Sequence, residues 1–220
     1  MKTLPSDIER GSMTVIAEEL GARGITLPSE NAAVVMRCIH ASADFDYAEN
    51  LRFTPGAVQK AVEALRHGAE IVTDTNMALA GVSRPGLTRL GGAAYCFMAE
   101  PSIAAAAKER GTTRAVAAVD YAAAHHPKAI LAVGNAPTAL LRIAEKIEAG
   151  LRPTLVIAAP VGFVNVTEAK ERVYHVCEEY GVPAVAAMGR KGGSSIAAAV
   201  CNALIYTAAD MLDPKNRGWS

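Results

Sequence analysis

From residue 70 onward, short apolar runs of β-prone residues alternate with longer runs of helical character, and the alternation repeats about five times. No other feature narrows the fold as far. The runs 70–74, 93–98, 129–133, 154–159 and 184–188 are nearly all apolar and are bounded by glycine or proline. That is the pattern of parallel strands covered on both faces. Stretches 102–110, 136–149, 166–180 and 194–208 lie between or after them with helical periodicity. Parallel strands need crossover helices of one hand, and these come to lie on both faces of the sheet. The expectation is an α/β fold, a three-layer α/β/α sandwich with a mainly parallel five-stranded sheet.

Three helical candidates precede the first strand. Ser29 is placed to N-cap a helix running to about His40, with Glu30 facing the positive end of the dipole. Thr54-Pro55 opens another in the cap-then-proline order, and His67-Gly68 closes it. No composition break divides the 220 residues, so a single domain over 1–220 is expected. Apolar residues make up 51% and charged residues 20%, enough for a large core and too little charge for disorder.

Lys plus Arg equal Asp plus Glu at 22 each, so no global field draws the chain to nucleic acid or to an anionic membrane. Cys38, Cys96, Cys177 and Cys201 lie far apart without metal-ligand spacing and suit buried thiols of a reducing compartment. The start of the chain has no apolar signal region, and no stretch approaches the ~20 apolar residues of a membrane span. A cytoplasmic protein with no protein-held metal is expected.

Ligands of an open parallel sheet bind beyond the carboxyl ends of its strands. The residues there are Asp74-Thr75-Asn76, Gly134-Asn135-Ala136-Pro137-Thr138, Pro160-Val161-Gly162-Phe163 and Gly189-Arg190-Lys191-Gly192-Gly193-Ser194-Ser195. Glycines let a backbone approach a ligand, and small hydroxyl or amide residues open helices whose free N–H groups favour anions. A polycarboxylate fits such a rim. Segment 189–195 lacks the GxxxxGK[ST] order, and no GxGxxG follows the first strand. Its glycines serve either a tight βα turn or an anion loop, the latter favoured by Arg190-Lys191.

His40 sits late in a mostly apolar helix, one turn after Arg37. It is either a satisfied structural histidine or an acid-base group, with Asp44 and Asp46 available to orient it. His67 suits a helix cap, and His125-His126 an exposed loop pair. Asp74 is a candidate N-cap for the helix 75–80, and Arg114 opens the helix after Gly111.

Five separate stretches in order then resemble the precorrin-8X methylmutase family, in its cobalt branch. They are Arg37-Cys38-Ile39-His40-Ala41-Ser42-Ala43-Asp44-Phe45, Thr73-Asp74-Thr75-Asn76-Met77-Ala78-Leu79-Ala80-Gly81 and Gly134-Asn135-Ala136-Pro137-Thr138-Ala139-Leu140. Pro160-Val161-Gly162-Phe163-Val164-Asn165 with Glu168-Ala169-Lys170, and Gly189-Arg190-Lys191-Gly192-Gly193-Ser194, complete the set. The segment Arg10-Gly11-Ser12-Met13 departs from the serine-aromatic pair of that family.

The resemblance implies a flavodoxin-like fold, a homodimer and an isomerase that moves a methyl group from carbon 11 to carbon 12 of a corrin precursor. It implies no cofactor, cobalt entering only inside the substrate. It also implies His40 as the catalytic acid-base residue and Ser12 and Arg37 as substrate contacts, with Thr75, Arg114, Asn135 and Arg190 as further contacts. The substrate is a flat apolar macrocycle edged by carboxylates, which arginines and helix N-termini can hold. Two other readings use the same rim: a tetrapyrrole carrier without turnover, and a phosphate- or nucleotide-using enzyme built on 189–195.

Overall fold

The computed structural model describes residues 4–217. The amino-terminal part contains helices α1 (Pro5–Ala22), α2 (Ala32–Ser42) and α3 (Tyr47–Asn50), strand β1 (Leu51–Phe53) and helix α4 (Ala57–Arg66). There follow β2 (Ile71–Thr73), α5 (Asn76–Gly81), α6 (Arg84–Arg89), β3 (Ala94–Tyr95), α7 (Pro101–Glu109), α8 (Arg114–His125) and β4 (Ile130–Val133). The chain continues through α9 (Pro137–Glu148), β5 (Leu155–Ala158), α10 (Val166–Glu179), β6 (Ala184–Ala187) and α11 (Ser194–Ala208) to a 3₁₀ turn (Pro214–Arg217).

Strand order across the sheet is β1-β6-β5-β4-β2-β3. The five strands β2 to β6 are parallel where they pair and take the doubly wound order of the flavodoxin-like fold. The sheet has six strands where five were expected. The extra one, β1, pairs antiparallel with β6 through Leu51–Ala187, Arg52–Ala186 and Phe53–Val185. Three residues at an edge carry too little alternation to show in the sequence.

Successive side chains of a strand point to opposite faces, and the two cores follow from that. Ile71, Ile130, Leu155, Ile157 and Val185 pack under α2, α4 and α11. Val72, Leu131, Val133, Val156 and Ala186 pack under α8, α9 and α10. Helix α11 is apolar nearly all round because it lies against the sheet while α2, α4 and α5 cover its other sides.

Several end signals act differently from the sequence expectation. Helix α2 is capped at Asn31, not Ser29, since Pro28 O already accepts the Asn31 and Ala32 N–H groups. Helix α4 starts after Gly56, and Thr54 extends the β1 ladder instead: its Oγ1 accepts the Ala184 N–H at 2.8 Å. His67 does close α4, with Nδ1 2.9 Å from Glu63 O. His125 and His126 are not a free loop pair. His125 ends α8, and His126 lies 2.8 Å from Glu70 Oε2 with its ring against Tyr95 and Phe97.

Candidate active site

The switch point of strand order falls between β2 and β4, where two consecutive loops diverge. Asp74 holds them together. Its carboxylate accepts the N–H groups of Gly134, Asn135 and Ala136 at 2.7, 2.9 and 2.8 Å. Burial raises its pKa, and these three hydrogen bonds only partly offset that. The expected N-cap role belongs instead to Thr75, whose Oγ1 accepts the Ala78 N–H at 3.0 Å and lies 2.7 Å from Ser194 Oγ. Gly134 permits this junction, because a Cβ there would stand 2.7 Å from the Ser194 Cα.

Asn135 and Arg190 are exposed on the same rim, Arg190 with its guanidinium 5.7 Å from the Phe163 ring centre. Arg114 is exposed at the first residue of α8. Its neighbour Thr113 reaches Thr138 at 3.3 Å, which sets the start of α8 beside the start of α9. Four residues singled out from sequence, Thr75, Arg114, Asn135 and Arg190, therefore share one end of the sheet.

His40 and Ser12 come together elsewhere on that end, in a cleft of about 610 Å³ between α1 and α2. The cleft is also lined by Ile8, Val15, Ile39 and Phe45. Its volume lies within the ~300–1,000 Å³ usual for small-molecule sites, and its walls are mainly apolar with a few polar groups. The Ser12 hydroxyl donates to Ile8 O at 3.0 Å. His40 is exposed at the mouth. Desolvation by the cleft lowers its pKa, Arg37 lowers it further, and Glu9 opposes both.

Asp44 and Asp46, expected as orienting carboxylates for His40, serve another group. Ala43 takes a left-handed conformation at the end of α2 and turns the chain, and both carboxylates lie 2.6 Å from Lys191 Nζ. The Lys191 ammonium holds the Asp44 carboxyl below its usual range. This tie joins the turn at the edge of the His40 cleft to the 189–195 loop.

Arg37 lies beneath the cleft, its side chain 12% exposed, with NH2 2.7 Å from Glu9 Oε1. Glu9 also accepts from Arg217 NH1 at 2.7 and 2.8 Å. Both guanidiniums lie over the Tyr206 ring, at 5.2 Å and 3.9 Å. Burial alone would raise the Glu9 pKa, yet the Arg217 and Arg37 interactions bring it below the ordinary value. Arg37 is thus committed to an internal ion pair. Glu9, Arg217 and the fully buried Lys170 escaped sequence reasoning. Lys170 alone had a signal, since it falls on the apolar face set by Val166, Ala169, Val173 and Cys177.

Cys38, Cys177 and Cys201 are buried free thiols, their pKa values pushed up to about 12 by burial. Among the described residues, no helix is long and apolar enough to cross a membrane.

Comparison with known proteins places these features in context. The family model described as precorrin-8X methylmutase matches residues 7–207. Cobalt-precorrin-8 methylmutase of Salmonella typhimurium is 42% identical over 209 residues, covering 92% of this chain and 95% of its own. Precorrin-8X methylmutase of Pseudomonas aeruginosa is 39% identical over 201 residues, covering 90% and 93%. The crystal structure of a precorrin-8X methyl mutase from Thermus thermophilus superposes with a TM-score of 0.82 at 40% identity, covering 92% of this chain and 98% of that one.

Proposed function

The chain belongs to the precorrin-8X methylmutase family, and on that premise we propose that it moves a methyl group from carbon 11 to carbon 12 of a precorrin-8 macrocycle. It is an isomerase of cobalamin biosynthesis. The family match across residues 7–207 carries this conclusion. The cobalt-containing macrocycle is the substrate form proposed, supported by the 42% identity to the relative named for it. Cobalt belongs to that substrate, and the reaction proposed uses no cofactor.

His40 is the proposed acid-base residue. As the methyl leaves carbon 11, electron density builds on the macrocycle, and a proton donated there and later recovered balances it. General acid-base catalysis of this kind contributes ~10²- to 10⁴-fold. The lowered pKa makes His40 a stronger acid, and its place at the mouth of an apolar cleft lets a flat ring edge reach it. Activity that requires protonated His40 is full below its pKa and falls as pH rises through it, in a limb below the ordinary 6.5. Ser12 contacts the substrate within the cleft, Arg37 sets the charge beneath it, and Thr75, Arg114, Asn135 and Arg190 receive the peripheral carboxylates.

A cytoplasmic homodimer is proposed. Leu4 at the N-cap of α1, with Ile8 and Val15, which also wall the cleft, are each about half exposed and offer an apolar stripe that a second copy would cover at the cleft's edge. Light scattering of the purified protein gives twice the monomer mass on this reading.

The test of function is anaerobic incubation with cobalt-precorrin-8. The expected product has unchanged mass, a methyl on carbon 12 by NMR and a new corrin absorbance. Binding without conversion would make the chain a carrier. Protection against heat by nucleotides, but not by corrinoid polycarboxylates, would point to a phosphate-using enzyme.

A further inference from the structure

Lys170 projects from α10 and is fully buried. Among the described residues its ammonium has no carboxylate partner; Nζ donates to Gly189 O and to Lys191 O, both at 2.8 Å. Burying a cation without a counter-ion is costly, and here two backbone carbonyls take the place of water. The carbonyl between them is also caught, since Arg190 O accepts the Gly162 N–H at 3.2 Å. Three successive carbonyls of one loop therefore face the segment 162–170 that leads into and begins α10.

In a trans peptide the N–H points opposite to the C=O of the same unit. Fixing the carbonyls of Gly189, Arg190 and Lys191 inward turns the N–H groups of Arg190, Lys191 and Gly192 outward, toward the rim. Successive outward amides form an anion-binding concavity. Close seating of the loop depends on Gly192 at φ +157°, where a Cβ would lie 2.3 Å from Ala159 O. Next to it, the Gly193 N–H donates to Ala159 O at 2.8 Å.

We propose that Lys170 is a positioning residue: by gripping the carbonyls of Gly189 and Lys191 it holds the amides of 190–192 as a cradle for one carboxylate of the macrocycle. The proposal rests on the methylmutase reading above. Lys170 never touches substrate. It acts through a loop that also carries Arg190 and, through Lys191, borders the His40 cleft.

The test compares wild type with Lys170→Met, which keeps the apolar stem and removes the donors, and with Lys170→Gln, which keeps a shorter one. The readouts are KM and kcat for cobalt-precorrin-8, and affinity for cobyrinate against its heptamethyl ester. Losing one charge-favouring contact predicts a roughly ten-fold rise in KM for Lys170→Met, with kcat within about two-fold. The preference for acid over ester should shrink by a similar factor, a ratio that general loosening of the fold does not move. Lys170→Gln falls between. Should both variants fail to fold, hydrogen exchange of wild type decides, with cobyrinate slowing the amides of 190–192. An unchanged acid-over-ester ratio in a folded Lys170→Met protein, or no slowing at those amides, overturns the proposal while leaving wild-type turnover intact. Wild type that neither binds nor converts the corrinoid overturns the methylmutase reading and this proposal together.

Discussion

Glu9→Gln tests the charge balance beneath the cleft. The side chains of Glu9, Arg37 and Arg217 are 8%, 12% and 3% exposed, and one carboxylate serves both guanidiniums. The amide of Gln accepts fewer hydrogen bonds and carries no charge, so both guanidiniums lose their charge-assisted contact with this residue. Removing one partner of a buried pair costs about 3–5 kcal/mol. For a chain of this length that corresponds to a fall in Tm of about 10 °C, at ~2–4 °C per kcal/mol. The assay is urea and thermal unfolding followed by circular dichroism at pH 7.

The same substitution has a pH signature. The folded pKa of Glu9 lies below its ordinary 4.5, so its contribution is complete above that value and is lost as pH falls through the folded pKa. Glu9→Gln should lack that segment of the stability curve. Because Glu9 opposes the lowering of the His40 pKa, the NMR titration of His40 should also move further down. A variant within about 0.5 kcal/mol of wild type, the scatter of ordinary surface changes, would refute the reasoning.

Further outcomes follow from the same geometry. Arg37→Met removes a positive charge that lowers the His40 pKa, so the falling limb of the pH–rate profile moves to higher pH; an unmoved limb argues that the imidazole is not the titrating group. Gly192→Ala drives a Cβ to 2.3 Å from Ala159 O and, by forcing the loop away, is expected to destabilise by about 2 kcal/mol or more, as read by chemical denaturation. Thr75→Val removes the cap of α5 and the contact with Ser194, costing about 1 kcal/mol in the same assay and raising KM more than it lowers kcat.

The layered fold was legible because each long crossover helix announces itself locally. The stretch 194–208 coincides with α11, and 166–180 overshoots α10 by one residue, since apolar periodicity and the flanking glycines mark both. Strand β1 was not legible: its partner β6 lies some 130 residues later, and three residues show no period by themselves. The rim was visible as a composition of glycines and hydroxyls after strands. Its internal wiring was not, because Asp74 reads as a cap until the amides of 134–136 are seen converging on it. The ion pair that holds Arg37 was hidden for the same reason. Glu9 and Arg217, which meet beneath it, are 208 positions apart and leave no local trace. His40 and Ser12 were tied to one site by family resemblance, and the cleft between α1 and α2 supplies the physical connection.

The most direct test is the single-turnover rate of His40→Ala on cobalt-precorrin-8, measured anaerobically beside its binding affinity. An exposed residue at the cleft mouth can be truncated without disturbing the core, so folding and affinity should stay within a few-fold of wild type. The rate should fall by ~10²- to 10⁴-fold, the share expected of a general acid. A variant that moves the methyl as fast as wild type would contradict the role of His40 and send the search for the proton donor elsewhere on the rim.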